Sequence, residues 1–239
     1  MGLNLNLRNG FSLLELLVVM AILAVIAALL LPALGRAKAR AQQAACGNNL
    51  RQINVSVHLY ADDSSDAFPP AINHPPASFT AYTQLLKGYV GQTGTSPGRA
   101  ALFACPADTF YYESDQNYVA QSLHAQPLFY YSSYGFNGGN FPTGDPPAPR
   151  WPGIAGRKLT SIRHPAKTVL ILEFPALVPY SWHEPVGTPR WNNARDMVGF
   201  VDGHASFTKM YWDASTPPYR IEAWMYDPPA GYDYQWSGD

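Results

Sequence analysis

An uninterrupted apolar segment near the N-terminus constrains this chain more than any other feature. The run from Phe11 to Leu34 holds 24 residues and a single charge, Glu15. As a helix rising 1.5 Å per residue, it would extend about 36 Å, enough to cross the roughly 30 Å apolar core of a bilayer. A core helix of a globular protein usually has a polar stripe, and this run has none after Glu15. The sequence therefore predicts a membrane-spanning helix.

The charges of the chain are divided unevenly around this segment. The 239 residues have a formal net charge of −1, but residues 1–60 carry +4 and residues 61–239 carry −5. This balance does not favour nucleic acid as a partner. Three basic residues follow the apolar run, where we expect them to meet lipid headgroups or an acidic neighbouring head, or to act only as interfacial anchors. They are Arg36, Lys38 and Arg40.

The carboxylate inside the apolar run needs a compensating charge. A charged side chain at the bilayer centre costs about 2.5–3.5 kcal/mol, and less near the interface. Gly10 precedes the run and follows a short polar leader. If the chain were cut after Gly10, the new α-ammonium of Phe11 would offer a cation to Glu15 of a neighbouring chain. The alternative is a plain anchor whose Glu15 reaches the headgroups.

The sequence G-FSLLE followed by an apolar helix resembles the prepilin-type cleavage and methylation signal of type IV pilins and type II secretion pseudopilins. In that family a membrane-embedded aspartyl peptidase cuts after the Gly and methylates the new N-terminus. The resemblance implies that Gly10 is the scissile residue, Phe11 the methylated one and Glu15 the acidic residue used in assembly, with Pro32 where many pilins also have Pro. It implies three partners: a prepilin peptidase, other pilin or pseudopilin subunits in a homo- or hetero-filament, and an inner-membrane assembly platform.

The residues after the apolar run predict an amphipathic helix. Gly35 and Gly47 are points where such a helix is expected to bend. The run ADDSSDAFPP, residues 61–70, is rich in turn formers and is predicted to end the helix. Apolar residues recur at spacings of four, three, four and three along one face, at Cys46, Leu50, Ile53, Val57 and Tyr60.

The remainder of the chain predicts short strands joined by Pro-rich loops. Thr168–Phe174 is a β-prone run bounded by prolines and is predicted to be a buried strand. Asp202-Gly203 lies between two β-prone stretches, which favours a hairpin with a type I′ turn. Residues 137–157 are predicted to form long surface loops.

These patterns together predict an α+β, pilin-like fold with a long N-terminal helix packed on an antiparallel β-sheet head. We expect four regions along the chain. They are a leader peptide at 1–10, a transmembrane helix at 11–34, a helical stem at 35–60 and a globular extracytoplasmic head at 61–239.

Several motifs of the body resemble a bacterial pilin-like family with large heads. Members of that family often end in a His, nine residues and Asp-Gly, but here Asn192 stands at the position of that His. The motifs are CGNNLRQI at 46–53, FPP at 68–70, FACPAD at 103–108, SYGFN at 133–137 and DGH at 202–204.

The chain has two cysteines, Cys46 and Cys105, and the predicted topology places both outside the cytoplasm, where a disulfide persists. A bridge between them would join stem to head and stabilise the fold by about 4 kcal/mol in the chain-entropy model. Two buried free thiols are the alternative.

No catalytic motif is recognisable in the sequence. The six His residues lack metal-ligand spacing such as HExxH, and there is no GxSxG, P-loop or GxGxxG pattern. We therefore predict a protein that is not an enzyme and needs no cofactor. A calcium site is a secondary hypothesis based on ligand type alone, since carboxylates suit Ca²⁺. Its ligands would come from Asp62, Asp63, Asp66 and Asp202.

The sequence thus favours a structural subunit of a type IV pilus-like filament or a type II secretion pseudopilus. We expect a single-pass protein of the bacterial inner membrane, with its head in the periplasm or extracytoplasmic space until assembly. The alternative is a membrane-tethered module that binds polysaccharide or another surface. That alternative rests on the aromatic residues between Tyr211 and Trp236, most of which we expect to be buried.

Overall fold

The computed structural model describes residues 12–70, 79–91, 101–112, 118–138, 152–177, 180–184, 194–212 and 227–239. The chain forms two compact units, an N-terminal unit, Met1–Ala41, and a C-terminal unit, Gln42–Asp239. One helix, α1 (Leu13–Asp63), contributes residues to both.

In the N-terminal unit every described residue, 12–41, is exposed. Apolar side chains cover all sides of the helix as far as Leu34, with Leu13 86% exposed and Leu29 73%. By length and composition this helix is able to cross a membrane. An apolar surface of this kind is unfavourable in water, so it requires lipid or other apolar partners.

In the C-terminal unit the same helix is amphipathic. Cys46, Leu50, Ile53 and Val57 are fully buried, which confirms the predicted apolar face, while Tyr60 is half-buried against the ring of Tyr89. The helix ends within the predicted ADDSSDAFPP segment. The chain reverses there through Ser65 and Asp66, both of which have positive φ.

The small elements that come first along the chain after α1 are α2 (Thr83–Leu86) and a two-stranded ladder of β1 (Tyr111–Tyr112) and β2 (Tyr118–Val119).

The main sheet has four antiparallel strands, which neighbour one another in chain order. They are β3 (Tyr134–Phe136), β4 (Val169–Glu173), β5 (Arg195–Phe200) and β6 (Ala205–Lys209). Strand β4 confirms the predicted buried strand, and β5 with β6 confirms the predicted hairpin. A helix and an antiparallel sheet thus confirm the α+β prediction.

The turn of the hairpin differs from the predicted type I′. A type I′ turn needs positive φ at both central residues, but here Gly203, with a φ of 93°, has positive φ and Asp202 does not. The amide of Gly203 bonds the carbonyl of Phe200, and the amide of Phe200 bonds the carbonyl of His204. The connection is therefore a three-residue loop, a type I turn followed by a glycine bulge.

Helix α1 packs closely on strand β5. A Cβ placed on Gly199 would lie 2.6 Å from Asn54 Nδ2, and one on Gly47 would lie 2.8 Å from Met197 Cε. Gly47, predicted as a bending point, is instead a buried contact with the sheet. Asn54 Nδ2 donates to the carbonyl of Phe200 at 3.3 Å, so a polar side chain on the helix bonds the strand at this contact.

Candidate functional site

Of the residues expected to direct processing, Gly10 and Phe11 lie outside the described residues. Glu15 lies in the first turn of α1, and its Oε2 accepts a hydrogen bond from the amide of Ser12 at 2.8 Å. Ser12 Oγ accepts from the amide of Leu14 at 3.2 Å. Ser12-x-x-Glu15 is thus a variant of the capping box, with Glu15 in the first turn, where the helix dipole favours negative charge.

This cap gives Glu15 a structural role that the sequence analysis did not consider, although the S-x-x-E spacing was visible. Pro32 lies inside α1, exposed like its neighbours. Arg36, Lys38 and Arg40 are also exposed, so their side chains are available to headgroups or other acidic surfaces.

In the C-terminal unit Cys46 and Cys105 form a disulfide that closes a loop with a sequence separation of 59 residues. Both are buried, at 0% and 3% exposure. The bridge joins α1 to the segment FACPAD, whose backbone is held by a hydrogen bond from the amide of Cys105 to Ser133 Oγ at 3.0 Å.

A carboxylate and an imidazole lie beside the disulfide. His183 Nε2 lies 2.8 Å from Glu173 Oε1, and the side chains of the two residues are 3% and 0% exposed. Cys105 Sγ lies 3.2 Å from Glu173 Oε1 and 3.9 Å from His183 Nε2. One potential ligand atom from each of Cys46, Cys105, Glu173 and His183 therefore falls within 4.8 Å of all the others. We call these four residues the Cys–Glu–His cluster.

Separate elements hold the Cys–Glu–His cluster in place. Glu173 is the last residue of β4, and its Oε2 accepts from the amide of Met197 on β5 at 2.9 Å. His183 lies in a short segment whose turn is organised by Ser181 Oγ, which accepts from the amide of His183 at 3.2 Å. The neighbouring Trp182 anchors this segment by donating its indole N–H to the carbonyl of Phe110 at 2.8 Å.

Another carboxyl group close to the cluster, that of Asp196, is fully buried, and neither of its oxygens has a hydrogen-bond partner. Burial raises the pKa of Asp196 well above its ordinary value, and the charges of Glu173 and Glu184 raise it further. Asp196 therefore favours its neutral form, because an isolated carboxylate is costly to bury.

The FACPAD motif supplies one buried carboxylate to which several loop residues donate hydrogen bonds. Asp108, from FACPAD, accepts from Ser133 Oγ at 2.7 Å, Ser122 Oγ at 3.0 Å and the amides of Leu123 and His124, both at 2.9 Å. Burial raises the pKa of Asp108, and these hydrogen bonds act against the rise. Such a hub orders loops, which accounts for the motif residues as parts of the fold.

Two other motifs also serve the fold. Asn49, from CGNNLRQI, donates to the carbonyl of Ala104 at 2.9 Å. Asn137, from SYGFN, donates to the carbonyls of Val169 and Trp236, both at 2.8 Å.

The DGH motif forms the hairpin turn. Asp202 Oδ1 lies 2.5 Å from His204 Nδ1 and also accepts the amide of His204 at 3.1 Å. The ring of His204 stacks on Phe200, with centroids 4.3 Å apart. Asn192 lies outside the described residues.

The aspartates of the calcium hypothesis contact protein donors. Asp63 Oδ2 accepts from the hydroxyl of Tyr89 at 3.0 Å, and Asp66 Oδ2 accepts from the hydroxyl of Thr160. Asp62 is exposed, and Asp202 faces His204. A calcium site at these residues stays a prediction.

The aromatic C-terminus is largely interior in the part of the chain that the structure describes. Trp212, Tyr234 and Trp236 are at most 4% exposed and pack on β4 and β5 residues. Tyr211 and Tyr232 are half-buried, with Lys209 Nζ 5.5 Å from the centroid of the Tyr232 ring. Three of the five described rings therefore fill the core, as expected, and Tyr219, Trp224 and Tyr226 lie outside the described residues.

Sequence reasoning missed Glu173, His183 and Asp196. One signal was available, because Glu173 is the single charge in the otherwise apolar run TVLILEF, where a buried charge calls for a partner. His183 gave no such signal, since it lies in an irregular segment far from both cysteines in sequence.

Comparison with known proteins locates a family match at the N-terminus alone. Residues 5–31 match the family model of the prokaryotic N-terminal methylation motif. This match includes Gly10, Phe11 and Glu15 and supports a pilin-like protein that is processed by a prepilin peptidase. No curated protein matches the chain, and no solved structure matches it.

Proposed function

We propose that this protein is a pilin-like structural subunit that a prepilin peptidase cuts between Gly10 and Phe11 and that then assembles into a filament. The observation that carries the proposal is the methylation motif at residues 5–31 on a helix whose described residues 12–41 are all exposed. The methylation motif supports processing by the peptidase. The exposed apolar helix offers a surface through which the stems of neighbouring subunits would associate.

The assembly mechanism follows from the charges at the start of α1. Before assembly the bilayer covers the apolar helix. In the filament, stems of neighbouring subunits cover one another, and the Phe11 α-ammonium created by cleavage compensates Glu15 of a neighbour. One oxygen of that carboxylate is held by the amide of Ser12 in its own chain, which fixes the direction in which the charge is presented. Ion pairing is strong in such an apolar setting because solvent screening is weak.

The C-terminal unit is proposed to form the outer surface of the filament, outside the cytoplasm. An extracytoplasmic location suits the disulfide that joins Cys46 and Cys105, since disulfides persist in oxidising compartments. A structural role also suits the way in which the body motifs are used, as hydrogen-bonded supports of the fold.

The proposal is tested by expressing the full chain in a bacterium with and without an active prepilin peptidase and shearing the cell surface. We expect the chain in the sheared, pelletable fraction when the peptidase is active, and in the membrane fraction when it is not. A chain that stays monomeric in the membrane fraction with every assembly component present would contradict the proposal. An unrelated single-pass membrane protein serves as the control for membrane contamination.

A further inference from the structure

The Cys–Glu–His cluster combines donor types that rarely converge by chance in a buried position. It holds two sulfurs, one imidazole nitrogen and one carboxylate oxygen, all within 4.8 Å of one another. Sulfur, imidazole and carboxylate are the ligands of zinc, and four protein ligands without an open position are typical of a structural site.

The separations of Cys105 Sγ from its two neighbours in the cluster are close to those of a tetrahedral zinc site, and the two bonded sulfurs would move apart on reduction. Zinc bonds of about 2.0–2.3 Å place neighbouring ligands about 3.3–3.8 Å apart. Cys105 Sγ lies 3.2 Å from Glu173 Oε1 and 3.9 Å from His183 Nε2. Glu173 Oε1 and His183 Nε2, 2.8 Å apart, need to separate by about half an ångström to reach that spacing.

The contact between Cys105 and Glu173 brings two ligand atoms together once the disulfide is reduced. Cys105 Sγ lies 3.2 Å from Glu173 Oε1, so reduction would place a thiol beside this oxygen. A zinc ion bound by a Cys105 thiolate and the Glu173 carboxylate would balance the charges of both ligands. The second oxygen of Glu173 is already held by the amide of Met197, an outer hydrogen bond of the kind that orients a metal-ligating carboxylate.

We propose that, when the Cys46–Cys105 disulfide is reduced, Cys46, Cys105, Glu173 and His183 bind one zinc ion in its place. A dithiol reductant transfers two electrons and two protons to the disulfide and itself becomes a disulfide. The two new thiols each lose a proton on binding Zn²⁺, and His183 binds through Nε2. Oxidation of the two thiolates to the disulfide returns two electrons to the oxidant and releases the ion.

The functional consequence is that helix α1 has two alternative links to the rest of the C-terminal unit. Zinc binding contributes directly to folding when a site is closed and buried. The reduced chain is thereby held in its fold before oxidation, and the disulfide takes over in an oxidising compartment. This inference concerns the C-terminal unit alone and does not depend on filament assembly.

The test uses the full chain in detergent, oxidised or reduced with a phosphine. The phosphine takes the oxygen of one water as the disulfide gains two electrons and two protons. After zinc addition and removal of unbound metal, we expect one zinc per reduced chain and less than about one tenth as much per oxidised chain. With cobalt in place of zinc, the reduced chain should show thiolate-to-metal charge-transfer absorption.

Two variants separate this site from adventitious binding. His183→Ala should weaken zinc binding at least about tenfold, whereas His58→Ala, which alters a histidine on α1 outside the cluster, should leave it unchanged. The proposal is overturned if the reduced wild-type chain takes up no more zinc than the oxidised chain, or if His183→Ala binds as tightly as wild type. Loss of the near-ultraviolet circular dichroism of the reduced chain despite one equivalent of zinc would overturn it as well.

Discussion

The two ends of α1 share one secondary structure and have opposite surfaces. From Leu13 to Leu34 the helix is apolar on every side apart from Glu15, and it is exposed throughout as far as Ala41. From Gln42 to Asp63 it has one apolar face, and the rest of the C-terminal unit covers that face. A helix with one apolar stripe can bury that stripe against the rest of its own chain. A helix that is apolar on all sides needs a bilayer or other chains to cover it. The comparison explains how one helix can serve folding at one end and, in the proposed function, assembly at the other.

The largest expected effect concerns the Glu15 carboxylate at the exposed end of α1. Glu15→Ala should reduce the sheared filament fraction at least about tenfold and leave membrane insertion intact, because removing the carboxylate lowers the cost of insertion and deletes the partner of the Phe11 amine. Immunoblots of sheared and membrane fractions measure both. Ser12→Ala, which removes a cap but no charge, is the matched control and should assemble. Undiminished filaments from Glu15→Ala would contradict the mechanism.

The next effect concerns the disulfide at the buried end of α1, in the C-terminal unit. Replacing both cysteines, Cys46→Ser with Cys105→Ser, should lower the free energy of unfolding of the C-terminal unit by about 4 kcal/mol, the loop-closure contribution of the disulfide. Membrane insertion should not change. Thermal unfolding of the metal-free, full chain in detergent, followed by near-ultraviolet circular dichroism, gives the comparison with oxidised wild type. An unchanged unfolding temperature would show that the bridge adds no stability.

A smaller effect tests the close packing of α1 on β5. Gly199→Ala should destabilise the C-terminal unit by about 1–3 kcal/mol, because the new Cβ would lie 2.6 Å from Asn54 Nδ2 and displace a hydrogen-bonded side chain. Gly35→Ala is the control, since nothing lies within 4 Å of its Cβ position. The same unfolding assay measures both variants.

A double variant sharpens the packing prediction. Adding Asn54→Ala to Gly199→Ala removes the clash, so the two changes together should destabilise less than the sum of the two alone. Additive costs would instead indicate that the helix and the strand do not meet at this contact.

The last effect is a pH dependence of the stability of the C-terminal unit. Burial raises the pKa of Asp196, so the folded chain binds more protons than the unfolded chain above about pH 3.9. Stability from this group is full below that pH and falls as pH rises toward the folded-state pKa, by at most about 1.4 kcal/mol per pH unit.

Asp196→Asn should remove this group's contribution to the fall of stability with rising pH. Asp62→Asn, at an exposed position, should leave that contribution in place. Unfolding temperatures from pH 4 to 7 measure the two slopes on the oxidised, metal-free chain. Equal slopes in the wild type and the Asp196 variant would contradict the assignment.

The N-terminal half of the account was predictable from sequence because its signals are local. The apolar run, the pair Gly10-Phe11 and Glu15 all lie within the 25 residues from Gly10 to Leu34, and periodicity alone predicted the covered face of α1. Strand β4 and the β5–β6 hairpin were equally readable from β-prone runs and an Asp-Gly pair. The turn type was not, because Asp-Gly fits both a two-residue loop and a three-residue loop with a glycine bulge.

The Cys–Glu–His cluster was beyond sequence reasoning because its members are distant along the chain. Cys46, Cys105, Glu173 and His183 come from a helix, a loop, a strand end and an irregular segment. Their convergence depends on how α1 packs on the sheet, including contacts such as Asn54 against Gly199. Sequence motifs such as HExxH identify metal ligands only when the ligands lie close together in the sequence, and these four do not.

The most direct test of the central claim is the mass of the N-terminal peptide of the chain recovered from sheared filaments. The account predicts a peptide that begins at Phe11, carries one methyl group on its α-amine and is present in the filament fraction. A recovered chain that begins at Met1, with residues 1–10 intact in that fraction, would contradict it.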